Sequence, residues 1–211
     1  STTTATSRPG RATPAAWTTF RQQVSQADAA LFVTPEYNRS VPGLLKNAID
    51  KSCRLTHTDQ KVVGTSLALA SVIGLGLEGA EFSPDYIMNR AIEKSQPFAA
   101  EMVKKMKAVK DSIKLEPRVA IENIGNSGYC LDAFAASLYW FLKSEGRFDE
   151  MITGAANAGG DADAIAAMAG AMFGAWFGLG AIPEKWFAQL EDFQVIRQLG
   201  CDIYRMAVPQ N

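Results

Sequence analysis

Two carboxylates stand beside two glycines at the start of an apolar segment, in the run Gly159-Gly160-Asp161-Ala162-Asp163. Aspartate oxygens are hard ligands of the kind that Mg²⁺ and Mn²⁺ prefer. Residues at i and i+2 do not share a face of a regular helix, but a glycine-permitted turn before the helix lets both side chains converge on one ion. The alternative is that one aspartate only caps the helix. Because a cap needs a single aspartate, the pattern favours a metal or phosphate site, and we predict Asp161 and Asp163 as metal ligands and catalytic residues.

A second candidate site is the segment Asn126-Ser127-Gly128-Tyr129, which precedes an apolar helix predicted to begin near Leu131. Backbone N–H groups at a helix N-terminus can hold an anion such as a phosphate. The alternative is an ordinary capped helix with a half-buried tyrosine. The glycines of the two candidate sites allow a ligand to approach the backbone closely; they are Gly125, Gly128, Gly159 and Gly160.

His57 is the only histidine of the chain and stands between Thr56 and Thr58-Asp59 at a predicted helix start. A single histidine excludes a histidine-rich zinc site. The chain also lacks a Gly-x-Ser-x-Gly nucleophile motif that a serine–histidine–aspartate mechanism would use. His57 is therefore either a ligand contact or a residue of the helix-capping region.

Several segments between residues 51 and 190 occur in the order found in one known family: Arg54–Asp59, Ile124–Tyr129, the helix through Phe141-Leu142, Gly159–Asp163 and Leu179–Trp186. Together they resemble the C-terminal part of the ADP-ribosylglycohydrolase family. The resemblance implies an all-α fold, a two-metal site and recognition of an adenine nucleotide. It also implies that His57 lies near the ribose and phosphates and that Tyr129 stacks on the purine.

The resemblance is incomplete at the metal site. The family takes half of its metal ligands from an N-terminal threonine-aspartate-aspartate motif, and a glutamate from the same part serves the reaction. Neither element has a counterpart in this chain. Ala164 also stands where the family carries a threonine or serine that helps to hold the metal.

The N-terminal part resembles a different family. Residues 20–24, 27–38 and 41–50 are similar to a middle piece of the NADPH-dependent FMN reductases, in which a Pro-Glu-Tyr-Asn turn follows a parallel strand and touches the flavin. This segment offers one strand, residues 29–34, and no glycine-rich phosphate loop precedes it. We therefore expect no flavin, and we interpret the chain as a fusion of two fragments.

Nine helices are predicted, over residues 42–53, 62–77, 84–94, 98–114, 131–143, 148–157, 164–182, 183–190 and 193–206. The predicted fold is mainly α, a compact multi-helix array resembling a truncated ADP-ribosylglycohydrolase fold. We predict a disordered leader over residues 1–16. Residues 17–50 are predicted to be a structural arm, either refolded or a single strand and helix, and residues 51–211 the α-helical domain.

Composition restricts the partners and the location. The net charge of −1 gives no electrostatic reason to expect nucleic acid or an anionic membrane. Three widely spaced cysteines and the absence of a signal-peptide pattern suit the cytoplasm. Residues 164–182 carry no charge and are long enough to span a bilayer, but the aspartates just upstream favour a buried helix of a soluble bundle.

The sequence therefore predicts a hydrolase that depends on Mg²⁺ or Mn²⁺ and acts on a phosphodiester of an adenine nucleotide, such as a cyclic nucleotide or an ADP-ribose-like diphosphate. Two alternatives stay open: retained ADP-ribosylglycohydrolase activity, and a catalytically inert oligomeric binding protein. We also predict a homodimer, because residues 62–77 and 164–182 would expose apolar faces once the N-terminal helices of the family are missing.

Overall fold

A computed structural model describes residues 43–95 and 99–207 of the protein. Within these ranges the chain is helical and contains no β-strand. The helices are α1 (Gly43–Cys53), α2 (Gln60–Leu77), α3 (Pro84–Lys94), α4 (Ala99–Ser112), α5 (Pro117–Ile124), α6 (Cys130–Ser144), α7 (Phe148–Ala156), α8 (Ala162–Phe177) and α9 (Phe193–Ala207). The mainly-α prediction is confirmed. The predicted leader, the strand at 29–34 and most of the arm lie outside the described residues.

Helix α6 forms the centre of the bundle. It is apolar on nearly all sides and is buried along almost its whole length, as expected for a helix without a polar face. Helices α2, α4, α5, α7 and α8 all pack against it. Its aromatic side chains Phe134, Tyr139 and Phe141 are fully buried. The N-terminus of α6 therefore gives the preceding turn a fixed support.

Helices α2 and α8 pack against each other, which corrects the expectation that their apolar faces are exposed. The indole Nε1 of Trp176 donates a hydrogen bond of 2.9 Å to the carbonyl oxygen of Val72. A Cβ atom at Gly76 would lie 2.6 Å from Cδ1 of Trp176, so the glycine permits this close approach. Among the described helices, α2 alone is long and apolar enough to cross a membrane, and half of that stretch is buried inside the bundle.

Two predicted elements differ from the structure in extent, and one helix was not predicted. Helix α5 was not predicted; it is a short amphipathic helix that begins at Pro117, with Glu116 accepting a hydrogen bond from the Arg118 N–H. Helix α8 ends at Phe177 rather than residue 182, because Gly178 takes a positive φ of 73° and stops the helix. The helix predicted over 183–190 is reduced to one 3₁₀ turn, Glu184–Trp186.

Candidate functional site

The turns that precede α6 and α8 lie directly against each other. The backbone N–H of Asp161 donates a hydrogen bond of 2.9 Å to the carbonyl oxygen of Asn126. The side-chain amide of Asn126 donates a bond of 2.8 Å to the carbonyl oxygen of Ala158. Gly160 has a φ of +62°, and a Cβ atom there would lie 2.1 Å from the Asn126 carbonyl oxygen. The structure therefore brings together the two segments in which the sequence predicted a site.

Asp132 organises the turn before α6, which we call the α6 turn (residues 125–129). The Ser127 hydroxyl donates a hydrogen bond of 2.6 Å to Asp132, and the backbone N–H of Tyr129 donates one of 3.2 Å to the Ser127 hydroxyl oxygen. The Lys105 ammonium pairs with Asp132 at 2.5 Å and also donates to the carbonyl oxygen of Ile124. Both oxygens of the Asp132 carboxylate therefore have a partner that helps to hold the turn.

The turn before α8 and the first two residues of that helix, which together we call the α8 turn (residues 158–163), place their carboxylates differently. Asp161 is the N-cap residue but makes no capping hydrogen bond through its side chain, and Asp163 is exposed in the first helical turn. Over the described ranges, neither side chain has a hydrogen-bond or ion-pair partner. The helix begins at Ala162, earlier than predicted, so Asp163 lies in its first turn, and the predicted arrangement with both aspartates in a turn ahead of the helix is wrong.

Asp161 and Asp163, which have no side-chain partner within the described ranges, are candidate ligands of a divalent cation. Mg²⁺ is commonly bound by one or two carboxylates and several water molecules. In the part of the chain that the structure describes, no group of three or more His, Cys, Asp or Glu side chains could hold a metal ion. Asp161 and Asp163 are thus the candidate protein ligands, and their role stays a prediction.

Tyr129 is the half-exposed aromatic residue of the α6 turn, with 40% of its surface accessible. Its hydroxyl donates a hydrogen bond of 2.9 Å to Glu101 near the start of α4. Glu101 in turn pairs with the Lys61 ammonium of α2 at 3.0 Å, and that ammonium lies 5.8 Å from the centre of the Tyr129 ring. Asp59 caps α2 by accepting a hydrogen bond from the Lys61 N–H. Three helix beginnings therefore meet at Tyr129.

His57 lies in the turn between α1 and α2 and is exposed. Its Nδ1 atom is 2.7 Å from the Thr56 hydroxyl, and the described residues offer its ring no other hydrogen bond. It precedes Lys61 by four residues. Among the described residues, no hydrogen bond or ion pair joins its side chain to the α6 or α8 turn, and its role as a ligand contact stays a prediction.

A cleft of about 840 Å³ opens beside Asn126 and Ala158, between α5, α6 and α7. Ile121, Trp140 and Met151 contribute apolar surface to its lining. Gly154 lets the Trp140 ring approach α7 closely, since a Cβ atom there would be 2.2 Å from Cζ3 of the ring. Its volume falls within the range of small-molecule sites.

Four residues that shape the site were missed from the sequence: Lys61, Glu101, Lys105 and Asp132. Charged residues on helix surfaces usually face solvent, and these contacts join residues far apart in the chain. The acidic residues in the first turns of α4 and α6 were the available signal, since such positions favour negative charge.

The chain belongs to the ADP-ribosylglycohydrolase family, whose model matches residues 3–211. It is similar to an uncharacterized protein of Archaeoglobus fulgidus, with 29% identity over 90% of this chain and 61% of that protein. It is also similar to the ADP-ribosylarginine hydrolase Tri1 of Pseudomonas putida, with 28% identity over 72% of this chain and 38% of that protein. The chain thus spans less than two thirds of the length of either relative.

The second resemblance is confirmed over a short stretch. An NAD(P)H-dependent FMN reductase of Pseudomonas aeruginosa is 58% identical over 41 residues, which is 19% of this chain and 22% of that reductase. The interpretation of the chain as a fusion of two fragments, and its domain limits, stay predictions.

Proposed function

We propose that this protein binds the ADP-ribosyl group through the α6 and α8 turns and hydrolyses its N-glycosidic bond. Membership of the ADP-ribosylglycohydrolase family supports this substrate class. The observation that carries the proposal is the junction of the two turns, in which Asn126 is hydrogen-bonded to both Ala158 and Asp161. This junction puts the two unpaired aspartates beside a helix N-terminus suited to phosphate and an exposed aromatic ring.

Each predicted site residue has a separate task in this proposal. Asp161 and Asp163 would hold Mg²⁺ or Mn²⁺, which supplies Lewis acidity and an activated water when bound. The backbone N–H groups of Ser127 and Gly128 face the phosphates, the Tyr129 ring stacks on the purine, and His57 contacts the ribose or phosphates. The glycines of both turns let the substrate approach the backbone.

Hydrolysis of a phosphodiester, which the sequence analysis placed first, is the competing reaction at the same site. A water-rich metal ion can serve phosphoryl chemistry, which mainly requires charge neutralisation. The similar proteins favour the glycosidic reaction. The matching family is named for hydrolysis of ADP-ribosyl glycosidic bonds, and the related protein of Pseudomonas putida is named an ADP-ribosylarginine hydrolase.

One panel of substrates distinguishes these reactions. The protein is incubated with an ADP-ribosylated protein, with ADP-ribose and with cyclic AMP, each in Mn²⁺ or in EDTA. Release of free ADP-ribose from the modified protein, abolished by EDTA, supports the proposal. Cleavage of cyclic AMP or ADP-ribose would replace it with the phosphodiesterase, and inactivity on all three substrates would leave the inert binding protein.

We further infer a homodimer. Its proposed interface is the apolar face of α9, instead of the faces of residues 62–77 and 164–182 that were first predicted. Val195, Ile196, Leu199 and Ile203 are between 38% and 55% exposed on that helix. Exposed apolar patches commonly become interfaces. Light scattering at low micromolar concentration tests the dimer, and a stable, fully active monomer would exclude it.

We also propose that the protein binds no flavin. Purified protein should therefore be colourless, whereas stoichiometric flavin would contradict this prediction.

A further inference from the structure

Tyr129 is held in place by side chains from two other helices. Lys61 belongs to α2 and Glu101 to α4, whereas Tyr129 immediately precedes α6. The Glu101 carboxylate accepts the tyrosine hydroxyl with one oxygen at 2.9 Å and meets the Lys61 ammonium with the other at 3.0 Å. The same ammonium lies 5.8 Å from the ring centre. The hydroxyl end of the ring is therefore tethered.

Helix capping does not explain why a tyrosine stands at this position. Tyr129 is the N-cap residue of α6, yet its side chain makes no capping hydrogen bond within the described structure. Small polar residues are the preferred caps. Both Lys61 and Glu101 are partly or largely exposed, and exposed ion pairs add little to folding stability. The contacts thus orient the ring more than they stabilise the fold.

The charges of the tether persist through the neutral pH range. Hydrogen bonds to Glu101 and then to Tyr129 raise the pKa of Lys61, and the hydrogen bond from Lys61 lowers the pKa of Glu101. Burial is the main cause that raises the pKa of Tyr129, so its hydroxyl keeps the proton that it donates.

We propose that Lys61 and Glu101 are positioning residues that fix the Tyr129 ring for stacking against the purine of the ADP-ribosyl group. The inference rests on the proposed function. Because the Lys61 ammonium covers the ring from one side, the purine would take the remaining exposed surface. A ring that is already oriented loses little conformational freedom on binding, and preorganisation of this kind improves affinity.

A double-mutant cycle measured by calorimetry with ADP-ribose tests the inference. Tyr129→Phe and Glu101→Ala each remove the same hydrogen bond, so each should weaken binding about three- to tenfold. The double variant should be no weaker than either single variant, since the two residues act through one contact. Glu101→Gln keeps an acceptor oxygen and should bind more nearly like the original protein. In turnover, KM should rise while kcat stays unchanged.

Asp85→Ala is the matched control, because Asp85 forms an exposed ion pair of 2.7 Å with Lys110 elsewhere on α4. It should leave ADP-ribose binding unchanged. Additive losses in the double variant, or unchanged binding by Glu101→Ala while Tyr129→Ala binds weakly, would overturn the positioning role and leave the proposed function standing. Unchanged binding by Tyr129→Ala would remove the purine contact itself and, with it, this part of the proposed function.

Discussion

The α6 and α8 turns lie against each other, but their acidic side chains have opposite surroundings. Asp132, after the α6 turn, is bonded to Ser127 and paired with Lys105. In the α8 turn, Asp161 and Asp163 have no side-chain partner within the described ranges. A carboxylate whose oxygens are already bonded holds the backbone, whereas an unpaired carboxylate at a turn remains able to bind a cation. Asp132 therefore supports the structure of the site, whereas Asp161 and Asp163 are available to bind a metal ion.

The largest effect is the loss of activity expected on substituting Asp161 or Asp163. Asp161→Ala or Asp163→Ala should lower metal-dependent ADP-ribosyl hydrolysis by at least about a hundredfold, since even outer contacts of a metal site cost ten- to a hundredfold. The melting temperature should change little, because neither side chain bonds to the described fold. Asp85→Ala, at an exposed aspartate of α3 that pairs with Lys110, is the control. Unchanged turnover in the Asp163 variant would remove the metal assignment.

The next largest effect is a loss of stability, expected when a substitution breaks the contact between the two turns. Gly160→Ala should lower the free energy of unfolding by about 3 kcal/mol, because the new Cβ atom meets the Asn126 carbonyl oxygen and the positive φ is strained. Chemical denaturation measures the change. Gly170→Ala is the matched control within α8, where nothing lies within 4 Å of the added atom. That variant should be stabilised by up to about 1 kcal/mol.

Asp132→Asn sharpens the comparison from the other side. The loss of the charged partner for Lys105 and Ser127 should lower the free energy of unfolding by about 1–2 kcal/mol. Urea denaturation of this variant and of Asp161→Asn should therefore give different results, with Asp132 affecting stability and Asp161 mainly activity. Equal stability of both variants would mean that the structural distinction between the two turns has no energetic counterpart.

The smallest effect concerns the thiols. Burial raises the pKa of Cys130, which begins α6, so less of it is thiolate at neutral pH. Because the thiolate is the reactive form, Cys130 should react with iodoacetamide several-fold more slowly than the exposed Cys201. Raising the pH should narrow the difference. Mass spectrometry after timed labelling measures both rates, and denatured protein, in which the two thiols should react alike, provides the control.

Sequence reasoning succeeded where the signal was local. The ends of α3 at Pro84 and Lys94 and the beginning of α9 at Phe193 were predicted at the right residues, because proline, charge and apolar spacing mark them. The two glycine-containing turns were also correctly placed at the beginnings of α6 and α8. These features depend on backbone preferences within a few residues.

Sequence-based prediction failed where the structure depends on contacts between residues that are far apart in the chain. Nothing near Tyr129 in the chain indicates Glu101, which is 28 residues away, or Lys61. The packing of α2 against α8 depends on the close approach of Gly76 to Trp176. Composition does not show this contact, so the apolar faces of both helices were predicted to be exposed. The short helix α5 was missed because eight residues give too little periodicity to distinguish a helix from a loop.

The central position of α6 has a consequence for the timing of motions in this protein. Backbone amides in the most buried element of a domain exchange with solvent only when much of the molecule opens. The α6 turn is attached to that slow element, and the Asn126 contacts attach the α8 turn to it as well. Deuterium exchange should therefore find the hydrogen-bonded amides of the two turns, those of Gly125 and Asp161, protected for far longer than their position near the surface would suggest.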